Sequence, residues 1–123
     1  MKPGARVLLV DEDPAAIEAL HASLTALGCV VSMAHDGAQA LAAARRDRPD
    51  VAVLEVALPE ASGYQVCREL KRLDQAPVVV MLTARAEPEV RFWATECGAD
   101  AFLARPVEPD ALLRAVEGLL EGR

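Results

Sequence analysis

The sequence predicts an α/β fold in which a parallel sheet carries helices on both faces. Residues 5–10, 51–55 and 78–82 are short, nearly continuous apolar runs, the pattern of strands buried on both sides. The stretches between them carry apolar residues at helical spacing, and weaker strand patterns fit 29–34 and 101–104. Strand and helix therefore alternate along the whole chain, and that alternation is what a parallel sheet requires of its crossovers.

Each element has a local reason. The first strand runs into Asp11-Glu12-Asp13-Pro14, where Pro14 suits a first helical turn and Asp13 its N-cap. Ile17, Leu20, Leu24 and Leu27 then make one apolar stripe, with Gly28 as the stop. Arg45, Arg46 and Arg48 read as the solvated C-terminal end of a second helix, where cations suit the dipole. Ser62 and Gln65 have capping-box spacing ahead of a stripe of Val66, Leu70 and Leu73. A fourth helix spans about 88–97. Pro109 opens the last one, with Leu112, Leu113, Val116, Leu119 and Leu120 as its stripe.

A chain of 123 residues with 53% hydrophobic and 3% aromatic content fits one domain, 1–123, with a core of Ala, Leu and Val. The net charge of −6 repels phosphate backbones, so no direct contact with nucleic acid is expected. The longest apolar run, Val78 to Leu82, is far short of the ~20 residues that span a bilayer. Met1-Lys2-Pro3-Gly4 opens no apolar leader segment, and a cytoplasmic location is expected. Cys29, Cys67 and Cys97 are odd in number and lack metal-type spacing, as suits reduced thiols acting as small apolar residues. His21 and His35 have no partners at ligand spacing. The chain stops where the last helix stops, so a free-standing protein and an excised domain would read alike.

Four motifs, in order, resemble bacterial two-component response-regulator receiver domains. They are Val7-Leu8-Leu9-Val10-Asp11-Glu12-Asp13-Pro14, Val51 to Gly63, Val78-Val79-Val80-Met81-Leu82-Thr83-Ala84 and Gly98 to Pro106. The resemblance implies a flavodoxin-like doubly wound sheet of five strands in the order 2-1-3-4-5, with five helices. It also implies transfer of a phosphoryl group from a histidine kinase to an aspartate, a position that Glu55 occupies here. Asp11 and Glu12 match the acidic pair that holds Mg²⁺ with the acceptor, which would make Glu12 and Glu55 the metal positions. Thr83 and Arg105 match the hydroxyl and lysine that contact phosphoryl oxygens, and Phe102 matches the aromatic that swings inward in the active state. Two functional positions therefore depart from the pattern: Glu55 replaces Asp and Arg105 replaces Lys.

The two departures have a joint physical reading. Asp11, Glu12 and Glu55 gather like charge in one pocket, which calls for a cation. Arg presents a planar fork suited to carboxylates where Lys acts as a point charge. Arg105 beside Glu55 would supply internally what Mg²⁺ and a phosphoryl group supply in the family, so Mg²⁺ binding should be weak and no cofactor required; drift in a domain that no longer needs the chemistry is the other reading. The function expected is a signal-transduction module acting by protein contact without phosphorylation, a pseudo-receiver and not an enzyme. A working receiver that still accepts a phosphoryl group at Glu55 is one alternative. Another, from a different class, is a small aspartate-nucleophile phosphohydrolase of the haloacid-dehalogenase type, whose D-x-D form Asp11-Glu12-Asp13 shares.

Partners would be a histidine kinase, an output domain or a downstream regulator, met through the 88–121 face by a monomer or weak dimer. That face holds Phe92-Trp93, with the chain's only Trp. Adjacent helix residues point about 100° apart. The resemblance implies a buried apolar side chain at Phe92, which sets Trp93 toward the rim as a contact residue; Trp93 lying over Val90 and Cys97 as an edge of the core is the other reading.

Overall fold

In the computed structural model, residues 4–58, 61–84 and 87–121 are described. The elements are β1 (Arg6–Val10), α1 (Pro14–Ala26), β2 (Val30–Ala34), α2 (Gly37–Asp47), β3 (Val51–Leu54), β4 (Ala57–Leu58), β5 (Ala61–Ser62), α3 (Gly63–Lys71), β6 (Val78–Thr83), α4 (Pro88–Glu96), β7 (Ala101–Ala104) and α5 (Pro109–Glu121). Five strands form one parallel sheet in the order β2-β1-β3-β6-β7. With the small antiparallel β4–β5 hairpin set aside, this is the 2-1-3-4-5 order expected. The hairpin was not anticipated, because two-residue strands leave no periodicity to read.

The continuous apolar runs have a direct structural cause. Leu8 and Val10 of β1, Ala52 and Leu54 of β3, and Val79 and Met81 of β6 point to one side, where Ala40, Ala44, Val66, Leu70 and Ala94 meet them. Val7, Leu9, Val51, Val53, Val78, Val80 and Leu82 point to the other, against Ile17, Leu20, Leu24, Leu112, Leu113 and Val116. Each central strand thus feeds two cores, and each buried Val or Leu contributes about 1.5–3 kcal/mol. The edge strands β2 and β7 face the core less completely. Their sequence pattern is weaker for that reason.

The caps follow the sequence. Asp13 accepts the Ala15 N–H at 3.0 Å and Ser62 accepts the Gln65 N–H at 3.2 Å, each relieving an orphan donor of a first turn. Gly28 takes φ +89°, a left-handed conformation open to glycine, just beyond α1. Two expectations fail. Leu27 is the C-cap of α1, not part of its buried stripe, and is 51% exposed because the helix ends before its turn completes. Phe92 is 55% exposed, since Val90 and Ala94 already fill the inward line of α4. No helix among the described residues is long and apolar enough to cross a membrane.

Candidate functional site

Asp11, Glu55, Thr83 and Arg105 all sit at the carboxyl ends of β1, β3, β6 and β7, where ligands of doubly wound sheets bind. Backbone bonds between neighbouring strand ends fix each of them. The Glu55 N–H donates to the Val10 carbonyl at 3.0 Å, the Asp11 N–H to Ala34 at 3.1 Å, and the Arg105 N–H to Thr83 at 2.7 Å. The side chains of Asp11 and Glu55 therefore emerge side by side, and Arg105 approaches from two strands away.

The guanidinium bridges the two acids. Arg105 Nη2 lies 2.5 Å from Asp11 Oδ2 and Arg105 Nε 3.1 Å from Glu55 Oε2. The fork is split between two carboxylates, whereas the sequence reading paired it with Glu55 alone. Nε and Nη2 form one edge of the guanidinium, and each takes a carboxylate from one of two adjacent strands. The other oxygens are also engaged: Asp11 Oδ1 accepts the Asp13 N–H at 2.9 Å, and Glu55 Oε1 accepts Val56 N–H at 2.9 Å and Ala57 N–H at 3.4 Å. Side chains of Asp11 and Glu55 are only 10% and 13% exposed. At such depth two carboxylates without a cation would repel strongly, and the bridge offsets that cost.

A small gap of about 10 Å³ borders the triad on its apolar side, among Leu9, Ile17, Leu20 and Val53. A Mg²⁺ ion demands octahedral oxygens at about 2.0–2.1 Å and retains several waters. With all four carboxylate oxygens of Asp11 and Glu55 taken, the arrangement does not fit that ion. Among the described residues no group of three or more His, Cys, Asp or Glu is placed to hold a metal. Glu12, expected beside Glu55, is exposed and does not join the triad.

The other expected positions are accounted for. Thr83 is buried as the last residue of β6. Phe102 is half-buried on β7, with the Arg91 guanidinium 5.0 Å from its ring centre, within cation–π range. On α4, Phe92 and Trp93 stack edge-to-face at 5.2 Å, and Trp93 is 50% exposed. Two contributors escaped the sequence reading. His35 places Nδ1 3.3 Å from the Asp11 carbonyl. Gly63 packs so tightly against the backbone after Glu55 that a Cβ there would meet the Glu55 carbonyl and lie 2.7 Å from Val56 Cα. Its N–H also donates to Val56 at 2.6 Å, so the turn carrying Glu55 depends on a residue without a side chain. The signal was present as Gly63 at the head of a helix, but nothing in the sequence says what the glycine faces.

Residues 7–117 match the response regulator receiver domain family. The chain belongs to that family. The response regulator MprA of Mycobacterium ulcerans is 39% identical over 115 residues, covering 94% of this chain and 50% of that protein. The chain thus spans about half the length of the curated relatives it matches. Among solved structures, a CheY-like receiver domain protein from Methanospirillum hungatei superposes with a TM-score of 0.91 at 26% identity, over 97% of this chain and 95% of that one. The receiver domain of the sensor histidine kinase PA1611 from Pseudomonas aeruginosa gives 0.88 at 29% identity, covering 96% and 98%. That structure holds a magnesium ion in its active-site cleft. This chain is a receiver domain of the two-component type with the CheY-like flavodoxin fold.

Proposed function

We propose that this receiver domain signals by protein contact without phosphorylation, with Glu55 at the acceptor position and Arg105 at the lysine position. The observation that carries the reading is the single guanidinium bridging Asp11 Oδ2 and Glu55 Oε2. It supplies the positive charge that the acidic pocket needs, and it sits where a divalent ion would have to bind. Glu55 also extends its carboxylate about 1.5 Å beyond an Asp, one further carbon–carbon bond. In-line transfer tolerates little such misplacement. The carboxylate held by Arg105 is a fixed internal ion pair in place of a transient charged state.

On this reading the domain is not an enzyme, needs no cofactor and binds Mg²⁺ weakly. Asp11, Glu12, Thr83 and Phe102 keep the family's positions, with Phe102 held under Arg91. Partners, a histidine kinase, an output domain or a downstream regulator, meet the 88–121 face, where Phe92 and Trp93 stand exposed. The test is incubation with acetyl phosphate and Mg²⁺ followed by intact mass measurement. No hydroxylamine-labile phosphoryl adduct is expected. A stoichiometric adduct that disappears in Glu55→Gln would overturn the proposal and favour a receiver that works through Glu55.

A further inference from the structure

The junction between α3 and the end of α4 brings two buried thiols together. Cys67 lies within α3 and Cys97 is the C-cap of α4, and both belong to the core on the same side of the sheet. Cys67 Sγ is 3.5 Å from the Cys97 carbonyl oxygen, so the Cys67 side chain lies against the residue that carries the second thiol. Cys97 Sγ in turn lies 3.1 Å from the Ala94 carbonyl. The close approach is built into the surroundings. One turn beyond Cys67, Lys71 Cγ is 3.2 Å from where a Cβ on Gly98 would sit, and Gly98 has φ +95°. Lys71 Nζ then holds the Pro77 carbonyl and Asp100 Oδ2, each at 2.9 Å, while Asp100 also accepts the Val79 N–H at 2.8 Å. The segments bearing the two cysteines are thus pinned together by neighbours on either side.

The pair is chemically asymmetric. The Cys67 hydrogen bond brings the Cys97 thiol down to about 7 against the opposing effect of burial, with backbone hydrogen bonds at Ala99 and Cys97 and the Arg68 cation assisting. The Cys67 thiol is pushed up by the same hydrogen bond and by burial. Cys29, on the opposite side of the sheet, is also raised, chiefly by burial. One sulfur is therefore disposed to be a thiolate, its neighbour to stay protonated beside it, and the third to remain inert.

We propose that Cys67 and Cys97 are a redox-modification site, a dithiol that a hydroperoxide closes to a disulfide linking α3 to the end of α4. The Cys97 thiolate attacks one peroxide oxygen; the O–O bond breaks, and hydroxide leaves and takes up a proton as water. The sulfenic acid so formed is attacked by the Cys67 sulfur, the S–O bond breaks, and the departing hydroxide takes the Cys67 proton. Two thiols lose two electrons, and hydrogen peroxide becomes two waters. Both thiols are buried, Cys67 fully and Cys97 to 4% exposure, so the oxidant reaches Cys97 only on local opening of the α4 end. This site is independent of the ion triad.

The test uses the reduced full chain, brief treatment with hydrogen peroxide, then N-ethylmaleimide in denaturant and peptide mapping. Expected are a Cys67–Cys97 cross-link reversible by dithiothreitol, alkylation of Cys29 alone, and a rate that rises with pH through an inflection near 7. Cys29→Ser should form the same cross-link. In Cys67→Ser, dimedone should trap a sulfenic acid on Cys97. Three alkylated cysteines in the treated wild type, or a cross-link involving Cys29, would overturn the proposal without need of any variant.

Discussion

The carboxyl end of the sheet and the outer face of α4 treat their exposed chemistry in opposite ways. At the sheet end, Asp11 and Glu55 have every carboxylate oxygen engaged by Arg105 or by backbone N–H groups. On α4, two large aromatic side chains stack on each other and leave about half their surface to solvent. The first region has its electrostatic needs met from within the chain. The second keeps apolar surface that its own core does not cover, and aromatic residues of this kind are enriched at protein interfaces.

The largest effect should come from removing the bridge. Arg105→Ala leaves two mostly buried carboxylates unpaired, and breaking a buried ion pair from one side costs about 3–5 kcal/mol. For a domain of this size that lowers Tm by roughly 10 °C or more, readable by calorimetry at pH 7. A shift of a degree or two would show that the two regions differ less than the geometry implies. Next comes Gly63→Ala, whose new Cβ would collide with the Glu55–Val56 backbone. Overpacking of that sort costs about 1–3 kcal/mol, and urea denaturation should place it in the upper part of the range. An unchanged midpoint would mean that the turn carrying Glu55 shifts freely.

Glu55→Asp with Arg105→Lys keeps the charges and alters reach and fork. Stability should change by only about 1 kcal/mol, while Mg²⁺-dependent labelling by acetyl phosphate should appear. Labelling as absent as in the wild type would place the block elsewhere. The smallest stability effect belongs to the open face. Trp93→Ala should stay within about 0.5 kcal/mol of the wild type in thermal melts, as surface substitutions do, yet weaken self-association or partner capture measured by sedimentation. A loss of several kcal/mol would mark Trp93 as core.

The sheet was legible because β1, β3 and β6 serve two cores at once, and a strand buried on both faces writes itself as an unbroken apolar run. The positions of Asp11, Glu55 and Thr83 were legible for a related reason, since the end of such a run marks the end of a strand, whereas Arg105 follows the weaker edge strand β7 and was placed by the resemblance of its motif. What the sequence left out were distances across strands. It could not say that one guanidinium splits between two acids, that Glu12 turns to solvent, or that His35 reaches the Asp11 carbonyl. Phe92 was misplaced because Val90 and Ala94, two residues to either side, fill the buried line with less volume than an aromatic needs. Leu27 continued the spacing of its stripe after the helix had stopped. Periodicity shows which face a residue would take in a helix, not where the helix ends.

The central claim is that Arg105 occupies the place where a divalent ion would have to bind. A crystal structure of the wild-type chain grown in excess Mg²⁺ tests it most directly. The account predicts the Arg105 guanidinium still bridging Asp11 and Glu55, with no octahedral density between them. An octahedral Mg²⁺ held by Glu12 and Glu55 at about 2.0–2.1 Å, with Arg105 turned to solvent, would contradict it.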